Sequence, residues 1–176
     1  MQILTFKRSM VVYVSFVILF AFGMTTSIAQ QKTKVAGEHT FAYTKQNTIN
    51  VGDIEGHIVM LNEFEGINVS TGKNKFMDGA QDVAMGFYDL VMGNGSHQGY
   101  GKMSLNGDVV FWKHQGKAAT TLSPEGKPVT TFEGTFTFTK GAGKYEKIQG
   151  SGSFNGKLIS STIFIIEWEG EYFIKK

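Results

Sequence analysis

The 176-residue chain contains no cysteine and only two prolines. The absence of cysteine excludes disulfides, thiolate metal sites, a cysteine nucleophile and a lipid-modified cysteine. A secreted domain without disulfides has to be stabilised by buried apolar surface, and the 15 Phe, 6 Tyr and 2 Trp can supply it. Long stretches of helical periodicity are also missing, which favours a fold built from β-strands.

The beginning of the chain predicts an export signal. An uncharged, apolar stretch follows Lys7 and Arg8, and Ser27-Ile28-Ala29 has the small-x-small pattern of a signal peptidase site. The dense apolar core is about a dozen residues, whereas a membrane-spanning helix needs about 20. We therefore expect a signal peptide at 1–29 and a secreted or periplasmic domain at 30–176. An uncleaved membrane anchor is the alternative.

Removal of that segment changes the charge balance. Lys7 and Arg8 are its only charged residues, so the remainder carries 15 basic and 15 acidic side chains. A neutral domain has no electrostatic reason to bind nucleic acid or an anionic membrane. We therefore expect no nucleic-acid partner and no stable membrane insertion after cleavage.

Period-two alternation, interrupted by Asn, Asp and Gly, dominates residues 30–176. About eight short strands at regular spacing are typical of a barrel or sandwich, and closure removes the exposed edges of a glycine-rich sheet. We predict an all-β fold, a single eight-stranded antiparallel β-barrel. The expected strands are 39–46, 56–65, 84–92, 97–105, 108–116, 129–139, 146–154 and 157–168, with a possible short tail at 171–175. The expected linkers are 30–37, 71–82 and 118–128.

Asn106-Gly107 predicts a hairpin with a two-residue type I′ turn, in which both central residues need positive φ. This turn places Gly101 opposite Trp112 and Gly99 opposite His114. The missing side chains of the two glycines leave room for an indole and an imidazole, so this face is expected to point inward. His114 is then expected near the end of its strand, at the mouth of the barrel.

Asn155-Gly156 predicts a second turn of the same type. Its register leaves both faces of 163–166 apolar, which indicates either a bulge or a covered outer face. The strand 129–139 is simpler, because Phe132, Phe136 and Phe138 share one face while threonines occupy the other. We expect these phenylalanines to point inward. In strand 56–65 the residues expected to point inward are Ile58, Met60 and Phe64.

The carboxyl-terminal half carries a family pattern. A Phe/Thr-rich strand from Thr131 is followed by a glycine turn and by Gly143-Lys144-Tyr145-x-x-Ile148-x-Gly150-x-Gly152. This stretch resembles bacterial proteins with an allene-oxide-cyclase-like or dirigent-like barrel. The resemblance covers about 95–175 and implies an eight-stranded antiparallel barrel related in shape to lipocalins (calycins). Plant cyclases of this fold hold their substrate in an apolar cavity, but no motif here carries their functional residues over.

Several catalytic and binding motifs are absent. Gly141-Ala142-Gly143-Lys144 leads into a strand and lacks the first glycine of a phosphate-binding loop. No nucleophile elbow occurs, and no Ser/His/Asp set can be assigned roles. Four histidines, His39, His57, His97 and His114, lack the close spacing of metal ligands, although His97 and His114 lie near one another on the predicted hairpin. Sequons begin at Asn68 and Asn94 and matter only in a eukaryotic host.

These features favour a non-catalytic barrel that binds a small apolar or aromatic molecule, with no cofactor and no metal. The candidate ligand-binding residues are Trp112, His114, Phe132, Phe136 and Phe138. One alternative is a cyclase or isomerase that works by confinement, with His114 as acid or base. Another is a cell-envelope structural or interaction protein that uses the segment 163–168, which is apolar on both faces of its strand, as an interface.

Overall fold

The structure is a computed structural model that describes residues 31–176, and the predicted signal peptide lies outside them. The chain forms one closed barrel of eight antiparallel strands, in which each strand pairs with the next and β8 pairs with β1. The predicted fold class is therefore confirmed. The strands are β1 (Thr33–Asn50), β2 (His57–Ser70), β3 (Gln81–Val91), β4 (Asn94–Leu105), β5 (Asp108–Leu122), β6 (Pro128–Ala142), β7 (Ile148–Leu158) and β8 (Ile163–Ile174).

Every second side chain of each strand points into the barrel and fills its interior, because successive side chains point to opposite faces of a sheet. In β3 every second residue from Asp82 to Leu90 is buried, and the residues between them are exposed. Phe132, Phe136 and Phe138 are buried on the inner face, as predicted. A barrel of eight strands has room inside for side chains and at most one small ligand. Within 31–176, no helix is long and apolar enough to cross a membrane.

The β4–β5 hairpin has the predicted turn and register. Asn106 and Gly107 both have positive φ, and Gly101 lies opposite Trp112. A Cβ atom on Gly101 would lie 2.2 Å from the Trp112 ring, so this position requires glycine for space. β5 continues to Leu122, however, which places His114 in the middle of the strand. The expected position of His114 at a barrel mouth is therefore wrong.

The second predicted turn is wrong. Asn155 and Gly156 lie inside β7, paired with β6 and β8, and the β7–β8 turn lies at 159–162. Gly156 is needed for packing, because a Cβ atom there would lie 2.5 Å from Cδ1 of Ile166. The corrected register contains no bulge at 163–166. Phe164, Ile166 and Trp168 point inward, and Ile163 is exposed on the outside.

The segment 71–80, predicted as a linker, closes one end of the barrel. Phe76 and Met77 are almost completely buried, and the Phe76 ring packs 5.9 Å from the Trp168 ring. The buried amide of Asn68 donates to the carbonyl oxygens of Phe76 (3.0 Å) and Met77 (2.8 Å). We call residues 71–80 the plug. The Asn68 sequon is therefore inaccessible in the folded barrel.

Candidate functional site

A cavity of about 60 Å³ lies inside the barrel. Two tryptophans and several phenylalanines form most of its wall, and they come from β2, β5, β6, β7 and β8. Three histidines, from β1, β4 and β5, also line it. The aromatic residues of the wall include Trp112, Trp168, Phe64, Phe132, Phe136 and Phe138, and the histidines are His39, His97 and His114. Such a wall suits a small ligand with a mostly apolar body.

The sequence-predicted site residues all lie on this cavity. Trp112, His114, Phe132, Phe136 and Phe138 line it together. β5 and β6 bring them together, since their register places Trp112 opposite Phe138 and His114 opposite Phe136. Glycines opposite the large rings provide the space that these side chains occupy. Their role in binding a ligand stays a prediction.

A buried His–Asp pair, which the sequence interpretation did not predict, lies at the cavity. His39 Nδ1 lies 2.9 Å from Asp82 Oδ2, and the two side chains are 8% and 0% exposed. His39 lines the cavity, while Asp82 lies behind it on β3. An isolated carboxylate is costly to bury, and a neighbouring imidazole reduces that cost. Neither oxygen of Asp82 has a hydrogen bond of normal geometry, so the pair is a close contact of the two groups. Nε2 of His39 is buried without a hydrogen-bond partner.

The other two cavity histidines are held neutral. Burial lowers the pKa of His97 to about 4. Burial, and to a smaller extent the charge of His97, lowers the pKa of His114 to about 3. Their ring centroids lie 5.2 Å apart, and the Tyr88 ring stacks on His97. Carbonyl oxygens of Met85 and Lys117 lie near the His114 and His97 rings and offset the effect of burial only in part.

The two tryptophans of the sequence both line the cavity, but their indole N–H groups differ. Trp168 Nε1 donates to Oδ1 of the buried Asn68 at 3.2 Å. Trp112 Nε1 is buried without a partner. An unpaired buried donor costs about 1–3 kcal/mol, so an acceptor on a ligand would gain that energy on binding. Trp112 therefore offers a hydrogen-bond donor to a ligand, beside the unpartnered ring nitrogens of His39, His97 and His114.

The signals for the missed residues were weak. Val35, His39 and Phe41 alternate with exposed or half-buried neighbours along β1, but the predicted strand began at His39. Asp82 fell in a predicted linker. The fourth histidine, His57, lies outside the cavity between Asp53 (2.5 Å) and Asp89 (2.9 Å). Among the described residues, no group of three or more potential ligands could hold a metal ion.

Comparisons with known proteins add little. No family model and no curated protein matches the sequence. A solved structure described as "Pyocyanin demethylase" is similar in fold, with 13% identity and a TM-score of 0.43 over 80% of this chain and 99% of that chain. A likeness this remote carries no argument about activity. The eight-stranded barrel that the family resemblance implied is present, while membership in that family stays a prediction.

Proposed function

We propose that the barrel binds a small, neutral molecule that has an apolar body and one hydrogen-bond acceptor. The observation that carries this proposal is the buried, unpartnered Nε1 of Trp112 in an otherwise aromatic cavity. A ketone or similar carbonyl compound has this chemistry. Its carbonyl oxygen accepts from Trp112, and its carbon skeleton packs against the phenylalanine rings.

Charge argues for a neutral ligand. The Asp82 carboxylate is fully buried behind His39 and does not line the cavity, and His97 and His114 have pKa values lowered to about 4 and 3, which keeps them neutral at pH 7. The cavity therefore offers no free positive charge for an anion and no free negative charge for a cation. A charged molecule would lose its hydration without compensation.

The cavity volume limits the ligand size. About 60 Å³ is less than half of the roughly 150 Å³ of an apolar cavity that holds benzene. A compound of about two or three non-hydrogen atoms fills this volume, and a ketone of about five or six atoms requires side chains of the wall to move. Met103 lines the cavity, and its flexible thioether can move to admit a slightly larger molecule. Tyr43, Ile58, Met60 and Leu158 are only partly buried at the end opposite the plug, which favours entry there.

The test uses butanone and its hydrocarbon isostere 2-methyl-1-butene. Because Trp112 and Trp168 are the only tryptophans, tryptophan fluorescence excited selectively reports on the cavity. We expect both compounds to change the emission saturably, and butanone to bind more tightly. Trp112→Phe keeps an aromatic wall but removes the donor. It should weaken the binding of butanone about fivefold, equivalent to about 1 kcal/mol, and leave the affinity for the hydrocarbon unchanged.

The matched control is Thr135→Ala, an exposed position on the outer face of β6. It should bind both compounds like the unaltered protein. Equal affinity of butanone for the unaltered protein and for Trp112→Phe would contradict the assigned contact. No saturable change with either compound would contradict the proposal itself.

We also propose that the domain is exported. β1 begins at Thr33, so cleavage after Ala29 would leave every strand intact. Expression of the full chain in a bacterium with a periplasm should yield a protein whose amino terminus, read by mass spectrometry, is Gln30. Recovery of the uncleaved chain from the cytoplasm would contradict this proposal.

A further inference from the structure

We propose that the barrel catalyses a 1,3-proton shift in a small enolisable ketone, with His39 as the catalytic base and acid and Asp82 as its positioning residue. The inference rests on the proposed binding of a small carbonyl compound. It assigns proton transfer to His39, whereas the enzyme alternative drawn from the sequence gave that role to His114.

The first support is the arrangement of the His39 ring. Its contact with the Asp82 carboxylate, 2.9 Å from Nδ1, favours the proton on Nδ1 and leaves the lone pair on Nε2. Nε2 is buried and has no partner in the protein. The ring is also held between other rings, with Phe41 at 5.2 Å and Trp168 at 5.6 Å between centroids. A base with a fixed tautomer and a fixed ring orientation therefore lines a cavity that holds a neutral ligand.

The second support is the neighbouring donor. The rings of His39 and Trp112 lie 6.2 Å apart between centroids, and both line the cavity. One molecule of a few atoms can contact both. A donor that faces a carbonyl oxygen stabilises the negative charge that forms when a base removes an adjacent proton. His39 Nε2 and Trp112 Nε1 thus supply the two groups that enolisation requires.

The chemical step balances within the ketone. For a β,γ-unsaturated ketone, His39 Nε2 takes a proton from the carbon between the carbonyl and the double bond. The electron pair of that C–H bond forms a new C=C bond, and the negative charge reaches the oxygen that faces the Trp112 N–H. The same proton then moves from Nε2 to the terminal carbon of the original double bond. The carbonyl re-forms, and the product is the conjugated isomer. No oxidant, reductant or second substrate is consumed.

The other titratable groups around the cavity do not compete for this role. His97 and His114, from β4 and β5, have pKa values lowered to about 4 and 3, so they are weak bases. Tyr88 is buried on β3 with its hydroxyl bonded to that of Tyr43, and burial raises the pKa of both phenols. Both tyrosines therefore stay protonated at neutral pH.

The experiment follows the conversion of 4-penten-2-one to 3-penten-2-one by the ultraviolet absorbance of the conjugated product, with butanone binding measured on the same samples. We expect the mature protein, residues 30–176, to catalyse this conversion. His39→Gln should lower the rate at least 100-fold while butanone still binds. Trp112→Phe should lower kcat about tenfold or more, and the Thr135→Ala control should match the unaltered protein.

Asp82→Asn tests the positioning role. It should lower kcat roughly 100-fold and leave KM and butanone affinity unchanged, because the carboxylate no longer fixes the tautomer and orientation of the His39 ring. A purely structural role would weaken butanone binding and raise KM as well. If this variant does not show native tryptophan emission, His39→Gln and Trp112→Phe carry the test.

Two outcomes separate this inference from the proposed function. Butanone binding without isomerisation, or isomerisation that survives His39→Gln, would overturn the catalytic inference and leave the binding proposal standing. Absence of butanone binding to the unaltered protein would overturn both.

Discussion

At the scale of single residues, Asn68 connects the plug to the cavity wall. Its amide donates to two plug carbonyls and accepts from the Trp168 indole. Asn68→Ala would leave three buried groups without partners, so we expect it to lower the free energy of unfolding by about 3 kcal/mol. Urea denaturation followed by tryptophan emission measures the change.

Asn94 provides the matched control. It also donates to a carbonyl oxygen and accepts from a backbone N–H, but it is exposed, so water replaces those bonds. We expect Asn94→Ala to cost about 1 kcal/mol or less. Equal losses in the free energy of unfolding for Asn68→Ala and Asn94→Ala would show that the buried hydrogen bonds of Asn68 do not stabilise the plug.

The neutral His97 and His114 predict loss of stability in acid. Their pKa values in the folded protein, about 4 and 3, lie below the ordinary 6.5, so the unfolded chain binds protons first as the pH falls. The free energy of unfolding should therefore decrease by a few kcal/mol between about pH 6.5 and pH 4. Urea titrations at a series of pH values measure this slope.

The double variant His97→Phe/His114→Phe should lose much less stability over the same pH range. His57 does not produce the acid loss, because hydrogen bonds to Asp89 and Asp53 raise its pKa. Its stabilising contribution is complete below pH 6.5 and disappears as the pH rises through the raised pKa. If the free energy of unfolding of the double variant fell with pH as steeply as that of the unaltered protein, His97 and His114 would not be the neutral groups that cause the loss.

Residues whose patterns repeat were predictable, and buried polar residues were not. The cross-strand partners of Trp112 and His114 were predicted correctly because Asn106-Gly107 sets the register and the opposing glycines mark a crowded inner face, although the length of β5 and hence the depth of His114 were not. Asp82 and Asn68 occupy inward positions that alternation assigns to apolar side chains. Their partners lie on other strands or on the plug, and a local pattern contains no information about those contacts.

At the scale of elements, the plug is expected to stabilise the barrel through Phe76. This ring packs against Phe138, Tyr145, Trp168 and Tyr172. We expect Phe76→Ala to lower the free energy of unfolding by about 3–5 kcal/mol, with a red shift of tryptophan emission as Trp168 loses its neighbour. The exposed Lys73→Ala on the same segment should change stability by at most about 0.5 kcal/mol. Similar values for both variants would show that the plug is not part of the core.

The corrected β7–β8 turn makes a prediction about insertions. Two extra residues after Ser161 would lengthen a surface turn, and we expect only a small change in Tm. The same insertion after Asn155 would interrupt pairing with both neighbouring strands and should prevent folding or lower Tm strongly. Thermal denaturation of both variants measures the difference in Tm. A larger loss of Tm for the insertion after Ser161 than for the insertion after Asn155 would indicate that the turn lies at Asn155-Gly156.

This element also shows why one hairpin was predictable and the other was not. Asn-Gly indicates a turn only where both residues have positive φ, as Asn106 and Gly107 do. Gly156 is instead a glycine of the inner face, opposite Ile166. The same two letters therefore serve a turn in one place and close packing in another, and only the cross-strand partner distinguishes them.

At the scale of the whole molecule, closure of the barrel places residues from distant parts of the chain around one cavity. β1 pairs with β8, so His39 of the first strand lies beside Trp168 of the last. The central claim is that this cavity is a ligand site in which Trp112 supplies the hydrogen bond. Since the sequence has two tryptophans, the protein should show two indole N–H resonances in a nitrogen–proton NMR spectrum.

Titration with butanone while these two resonances are recorded tests that claim directly. The Trp112 resonance should shift downfield saturably, because its free N–H gains an acceptor. The Trp168 resonance should move much less, because its N–H already donates to Asn68. A spectrum in which neither resonance moves, or in which only Trp168 responds, would contradict the account.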